Sequence, residues 1–283
     1  PEGAIISTLT SAGPADAQHV MTAGARAFII QPFTQINLLS TLRRVHNLET
    51  RRAQVRTAVA TRPPESSHPL RVITVFSPRG GSGTSTVAAN LAIAIQNETG
   101  MRTLLLEGKL FFGHLDVMLN IRNQNTLSDL VPHATNLDEG LVREIVAEHA
   151  SGIEVLLAPS SLQVAQGIRP EDMYNVFMNL NRLFDYVVID AGSALNENTV
   201  TLLDVADRTL IVTNPDLAAL HDISRFIQLT WTLSYSPDKV LIVLNRAGIP
   251  GGIRSADIGT ALRQNVFAQI PDEGPRGLRS INS

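Results

Sequence analysis

The stretch Val72–Ile95, VITVFSPRGGSGTSTVAANLAIAI, leaves this chain few choices of fold. It opens on a β-branched apolar run, passes through Ser77-Pro78-Arg79-Gly80-Gly81-Ser82-Gly83-Thr84-Ser85, and continues into an Ala/Leu-rich helical pattern. Strand, glycine loop and helix in that order expose backbone N–H groups at a helix N-terminus, where the helix dipole adds partial positive charge, so the loop suits an anion such as phosphate. A standard phosphate loop reads G-x-x-x-x-G-K-[ST], its lysine on the β/γ-phosphates and its hydroxyl on Mg²⁺. Here the residue before Ser85 is Thr84, so the frame is kept and its main charge is lost.

The rest of the chain fits an α/β reading. Strands are expected at Val72–Phe76, Thr103–Leu106, Glu154–Ala158, Tyr186–Ile189, Arg208–Val212 and Val240–Leu244. Several are near-continuous apolar runs, as expected where helices cover both faces of a parallel sheet. Helical patterns fall between them at Ser85–Gln96, Leu141–Glu148, Pro170–Leu183, Glu197–Val205 and Leu220–Leu233. The alternation predicts a doubly wound, mostly parallel sheet. With 283 residues, about two domains are expected, and the hydrophobic content of 44% is ample for their cores. No apolar run approaches the ~20 residues that span a bilayer. The absence of cysteine excludes disulfides and thiolate metal sites. A net charge of −3 gives no global pull toward nucleic acid or anionic lipid.

Ahead of this domain, Ala4–Ser7 and Ala27–Ile30 read as strands, and Pro14–Ala23 and Gln35–His46 as helices, the latter with Leu38, Leu39, Leu42 and Val45 on one side. Strand–helix–strand–helix at this spacing implies parallel pairing. The wording AIIST, TAGARAFIIQPF and INLLSTLRRV resembles the second half of a bacterial response-regulator receiver domain, a flavodoxin-like fold. That family ends the second of these strands in Lys-Pro, where this chain has Gln31-Pro32, so phosphorylation signalling is not expected and docking or dimerisation is preferred. Starting at Pro1 inside such a unit, the chain reads as cropped from something longer. The expected organisation is a partial receiver-like domain over 1–50, an Arg-bearing then Pro/Ser-rich linker over 51–69, and the phosphate-loop domain over 70–283. No aromatic residues interleave the linker arginines, which weakens a single-strand nucleic-acid reading; nucleic acid is not an expected partner.

Tyr186-Val187-Val188-Ile189-Asp190 ends a hydrophobic strand in a carboxylate, the usual source of the Asp that reaches Mg²⁺ in nucleotide-binding folds. With the loop, this makes the second domain similar to the MinD/ParA class of P-loop ATPases, whose loop reads K-G-G-x-G-K-[ST]-T, and within it to the CpaE/TadZ branch of pilus-assembly proteins. The resemblance runs through Thr103–Gly113, Thr126–Leu130, Ser151–Pro159, Asp185–Asp190, Val212–Leu220, Val243–Arg246 and Ile270–Asp272. A receiver-like domain before such an ATPase domain is that branch's arrangement.

What the resemblance implies is specific. ATP and Mg²⁺ are the expected ligands, held by the loop Arg79, Gly80, Gly81, Ser82, Gly83, Thr84, Ser85 and Thr86. Ser85 and Asp190 serve the metal, and Asn245 reads adenine in an Asn245-Arg246 pair. Arg79 stands where the class has the lysine that reaches across a dimer. The class ends its second strand in Asp-x-Asp, replaced here by Glu107-Gly108-Lys109. Two charge changes among these positions predict hydrolysis that is absent or very slow, because phosphoryl transfer rests on positioned charge. Lys109 either contacts bound phosphate or pairs with Asp190 in an empty site; the pairing is preferred, since a charge beside a carboxylate needs no ligand. The implied role is a homodimeric cytoplasmic scaffold that localises a pilus or secretion apparatus at the cell pole or the inner face of the membrane. The alternatives are an active ParA-like ATPase moving DNA or protein cargo, and a receiver-controlled response regulator.

Overall fold

The computed structural model describes residues 5–10, 27–33, 38, 41, 42, 45, 71–233 and 235–274. The chain divides into two units, Pro1–His68 with Phe226–Ser236, and Pro69–Arg225 with Pro237–Ser283.

In the first unit, β1 (Ile6–Leu9) and β2 (Ala27–Ile30) pair in parallel, Ile6 opposite Ala27 and Leu9 opposite Ile30. The first strand sits two residues later than the sequence suggests. The expected helix over 14–23 and the linker over 51–69 lie outside the described residues. Of the segment 35–46, Leu38, Thr41, Leu42 and Val45 are described and helical. Thr41 and Val45 are buried, whereas Leu42 is 45% exposed, so the inward stripe passes through Thr41 rather than Leu42.

In the second unit eight strands form one sheet. They are β3 (Val72–Phe76), β4 (Thr103–Glu107), β5 (Ala147–Glu148), β6 (Glu154–Leu156), β7 (Tyr186–Asp190), β8 (Arg208–Thr213), β9 (Val240–Ala247) and β10 (Val266–Pro271), in the spatial order β10-β9-β8-β3-β7-β4-β6-β5. Every pair is parallel except β5 with β6. The helices are α1 (Thr84–Thr99), α2 (Leu115–Met118), α3 (Leu127–Leu130), α4 (Glu139–Ile145), α5 (Leu162–Gly167), α6 (Pro170–Leu183), α7 (Glu197–Val205), α8 (Leu217–Thr232, counted with this unit as far as Arg225) and α9 (Ser255–Leu262).

The strand period of two divides the core between the faces of the sheet. Leu104, Leu106, Val187 and Ile189 pack with Met173, Val176, Phe177 and Leu180 of α6 and Leu202 and Val205 of α7. Leu105, Val188 and Val75 pack on the other face with Ala88, Ala89 and Ala92 of α1. Small residues at that i, i+1, i+4 spacing let α1 lie close to the central strands.

The helix ends follow their local chemistry. Asn196 caps α7 by accepting from Thr199 N at 2.9 Å, Pro170 opens α6, and α1 stops at Gly100, whose N–H reaches Gln96 O at 2.8 Å. Two expectations change. The helix expected at Leu141–Glu148 begins behind Asp138, which accepts from Leu141 N, and stops at Ile145; Val146 turns extended and Ala147–Glu148 pair antiparallel with β6 instead. β10 is an edge strand whose alternating, half-exposed residues carry too weak an apolar run to stand out.

Candidate functional site

The site is built where β3, the first strand of the central group, ends between β8 and β7. Ala191 N donates to Val75 O at 2.9 Å and Ser77 N to Gly192 O at 3.1 Å, so the loops leaving β3 and β7 are zipped together. Ser77 and Ser82 then fold the glycine loop on itself: Ser77 Oγ donates to Ser82 Oγ at 3.0 Å, and Ser82 Oγ to Arg79 O at 2.9 Å. Gly83 is the N-cap of α1 with φ +92, a left-handed conformation that a side chain strongly disfavours. Val87 N closes the first turn on Gly83 O at 2.9 Å.

Around this frame the expected residues assemble in part. Thr84, the first residue of α1, is 7% exposed, so its neutral side chain is held in the wall of the site. Ser85 follows it, half-buried, on the side of Asp190. Asp190, at the end of β7, is 1% exposed; its Oδ1 accepts from Gly192 N at 3.1 Å and its Oδ2 has no hydrogen-bond partner. Burial pushes its carboxyl above the ordinary value, opposed by the Ser85 hydroxyl, the Gly192 N–H and the charges of Lys109 and His114. The Ser85 hydroxyl favours the ionised carboxylate without completing a bond to Oδ2.

Lys109 comes in from the loop after β4. Its aliphatic stem crosses Gly192, where an added Cβ would lie 3.0 Å from Lys109 Cγ and Cδ. Among the described residues it forms no ion pair with Asp190 within 4.0 Å; its charge acts on Asp190 at longer range. The expected contact pair in an empty site is therefore absent, because the stem runs over the β7 loop instead of ending on the carboxylate.

Arg79, exposed on the loop, is drawn sideways to α8, where its guanidinium Nη1 meets Asp222 Oδ2 at 3.3 Å. Thr86 turns into the first helical turn, its carbonyl accepting from Asn90 Nδ2 at 2.8 Å. Asn245 arrives at the end of β9 and donates from Nδ2 to Ser82 O at 2.9 Å, while its Oδ1 accepts from Arg246 N at 3.0 Å. Arg246 is exposed, with φ +53. Gly80 and Gly81 are exposed on the loop.

In sequence Glu107 stands out only as a departure from Asp-x-Asp, and the structure gives it a definite task. It is 3% exposed, opposite Asp190 in the β4–β7 register. Its Oε1 accepts from His114 N at 2.6 Å and Leu115 N at 2.9 Å, and its Oε2 from Ala158 N at 3.0 Å. One carboxylate thus fixes the start of α2 and the loop after β6 beside the phosphate loop. Gly113 must lack a side chain, since a Cβ there would fall 2.5 Å from that carboxylate. Burial raises the Glu107 carboxyl, the three N–H groups lower it, and the charge of Asp190 raises it further. The available signal was an acid closing an otherwise apolar strand.

These residues fit a polyphosphate with its divalent cation. A buried carboxylate oxygen without a partner, a hydroxyl beside that carboxylate and a helix N-terminus with a left-handed glycine are the groups such a ligand satisfies. Among the described residues no three His, Asp or Glu side chains gather as a metal cage. Mg²⁺ does not need one, since it is usually bound through one or two protein oxygens, phosphate and water.

Comparison with known proteins agrees with this geometry. A family model described as an AAA domain matches residues 70–241. The septum site-determining protein MinD of Thermotoga maritima is 29% identical over 208 residues, 71% of this chain and 75% of that protein. The structure of a ParA family ATPase from Chlorobium tepidum superposes with a TM-score of 0.71 at 26% identity, covering 77% of this chain and 90% of that one. MinD from Pyrococcus horikoshii, complexed with Mg-ADP, superposes with a TM-score of 0.63 at 23% identity, covering 75% and 84%. With the model matched over residues 70–241 of 283, the chain belongs to the AAA domain family, as a MinD/ParA-like P-loop ATPase.

Proposed function

We propose that this chain is a nucleotide-held scaffold of the CpaE/TadZ type, binding ATP with Mg²⁺ at the β3–α1 loop and hydrolysing it little or not at all. The observation that carries this reading is the buried, neutral Thr84 where a phosphate-loop lysine would stand, with Ser85 and Asp190 retained beside it. Binding draws on the loop backbone, the Ser85 hydroxyl and the Asp190 carboxylate. Turnover draws on positioned charge, and the cation at this site is Lys109 from the β4 loop, in another frame. Mg²⁺, when bound, neutralises phosphate charge. Asp190 and Ser85 orient it, and Lys109 adds a positive field. The Mg-ADP in the Pyrococcus horikoshii relative supports the choice of ligand.

The expected setting is a homodimer that recruits proteins of a pilus or secretion apparatus at the cytoplasmic face of the membrane, at the cell pole. Among the described residues no helix is long and apolar enough to cross a membrane. Titration with ATP and Mg²⁺, reading binding, turnover and oligomeric state together, tests the reading. Mg²⁺-dependent binding with dimer formation and no turnover is expected. Turnover stimulated by DNA would instead favour an active ParA-like ATPase, and no binding would leave a fold kept for protein contacts alone.

A further inference from the structure

The loop is closed by a bond that the local sequence does not foreshadow. Ser82 is fixed on both sides: its hydroxyl is tied to Ser77 and to Arg79 O, and its carbonyl accepts from Asn245 Nδ2 at 2.9 Å, across 163 residues of sequence. The Asn245 amide has one orientation open to it. Arg246 N needs an acceptor and receives Oδ1 at 3.0 Å, which turns the NH₂ group toward the loop; the flipped amide would set donor against donor and acceptor against acceptor. The amide also lies against Gly83, where an added Cβ would stand 2.4 Å from Nδ2. Asn245 therefore holds the carbonyl immediately before the left-handed residue from which α1 starts.

In a loop with a lysine, a flexible charge can follow the phosphate. Here Thr84 supplies none, so affinity for phosphate depends on the loop backbone already having the right shape. We infer that Asn245 is a positioning residue of the phosphate loop, contributing to ligand affinity through the loop's conformation and independently of the base. This rests on the reading that the domain binds a nucleotide. It is distinct from the adenine-reading role: one Nδ2–H goes to Ser82 O, and the amide's second N–H is a separate donor.

The test compares the full chain with its Asn245→Ala variant, titrating each with Mg-ATP and with Mg-tripolyphosphate, which has triphosphate but no base. Loss of one intramolecular hydrogen bond that organises the loop is expected to weaken both ligands by the same factor, about five- to tenfold. Weakening of ATP alone would overturn the inference and make Asn245 a base reader. A second measurement needs no ligand. Amide hydrogen exchange at Gly83–Val87 should be faster in the variant, with the exchange of β4 and β7 unchanged. Unchanged exchange at Gly83–Val87 would overturn the inference. Should the parent chain bind neither ligand, the nucleotide reading fails, and the exchange comparison still decides whether Asn245 shapes the loop.

Discussion

Replacing Asp190 by Asn should make the ligand-free protein more stable at neutral pH while weakening its hold on Mg-nucleotide. Asp190 is 1% exposed, Oδ2 has no partner, and Glu107 is another buried carboxylate directly across the β4–β7 register. An unsatisfied buried polar group costs about 1–3 kcal/mol, more when charged. Asn keeps the bond from Gly192 N through its carbonyl but leaves an amide NH₂ at the unpartnered position, so only the extra cost of the charge is recovered, a gain of about 1 kcal/mol, or about 2–4 °C in Tm for a domain of this size. The pH dependence has a definite sign. Burial raises the folded-state pKa above the unfolded value, so between the two the folded state binds more proton, and wild-type stability falls as pH rises through that window. The advantage of Asp190→Asn should therefore be largest at pH 7 and shrink as the pH is lowered toward the carboxyl's unfolded value. Urea unfolding of both proteins at pH 7 and pH 5, without ligand, measures this. An Asn variant equal to or less stable than wild type at pH 7 would refute the reasoning, since the buried charge would then be compensated by something other than a ligand.

Three further substitutions test neighbouring parts of the structure. Gly113→Ala should destabilise by about 1–3 kcal/mol, the usual cost of overpacking, because its Cβ meets the Glu107 carboxylate; thermal unfolding reads it, and Gly140→Ala in the first turn of α4 serves as a milder comparison. Arg102→Ala removes contacts to Glu154, Glu139, Leu183 O and the Phe184 ring and leaves the largely buried Glu154 without its cation, for a loss of about 1–2 kcal/mol in denaturant unfolding. Lys109→Ala should lower affinity for Mg-ATP about tenfold, as loss of one charge-assisted contact does. Unchanged affinity in the titration would remove Lys109 from the phosphate's surroundings.

Much of the fold is legible because it is encoded over short distances. Val72–Phe76, Pro170–Leu183 and Glu197–Val205 fall where periodicity and end residues put them: a β-branched run before a glycine loop, a proline at the first helical position, an Asn before a helical repeat. The site's frame is legible for the same reason, since a strand, a glycine loop and a hydroxyl at the helix start are consecutive in sequence. β5 and β10 are not, because a two-residue edge strand and a half-exposed one bury too little to leave a pattern.

The sequence alone determined the doubly wound α/β class, the position of the phosphate loop, the loss of its lysine and the carboxylate ending β7. Only the tertiary structure decided what those residues touch. Glu107 takes three backbone amides from two loops, Arg79 is drawn to Asp222, Lys109 lies over Gly192 without pairing with Asp190, and Asn245 closes on Ser82. Each of these partnerships depends on the order in which strands and loops lie side by side. That order follows from burying both faces of one sheet at once, and no local pattern of side chains encodes it.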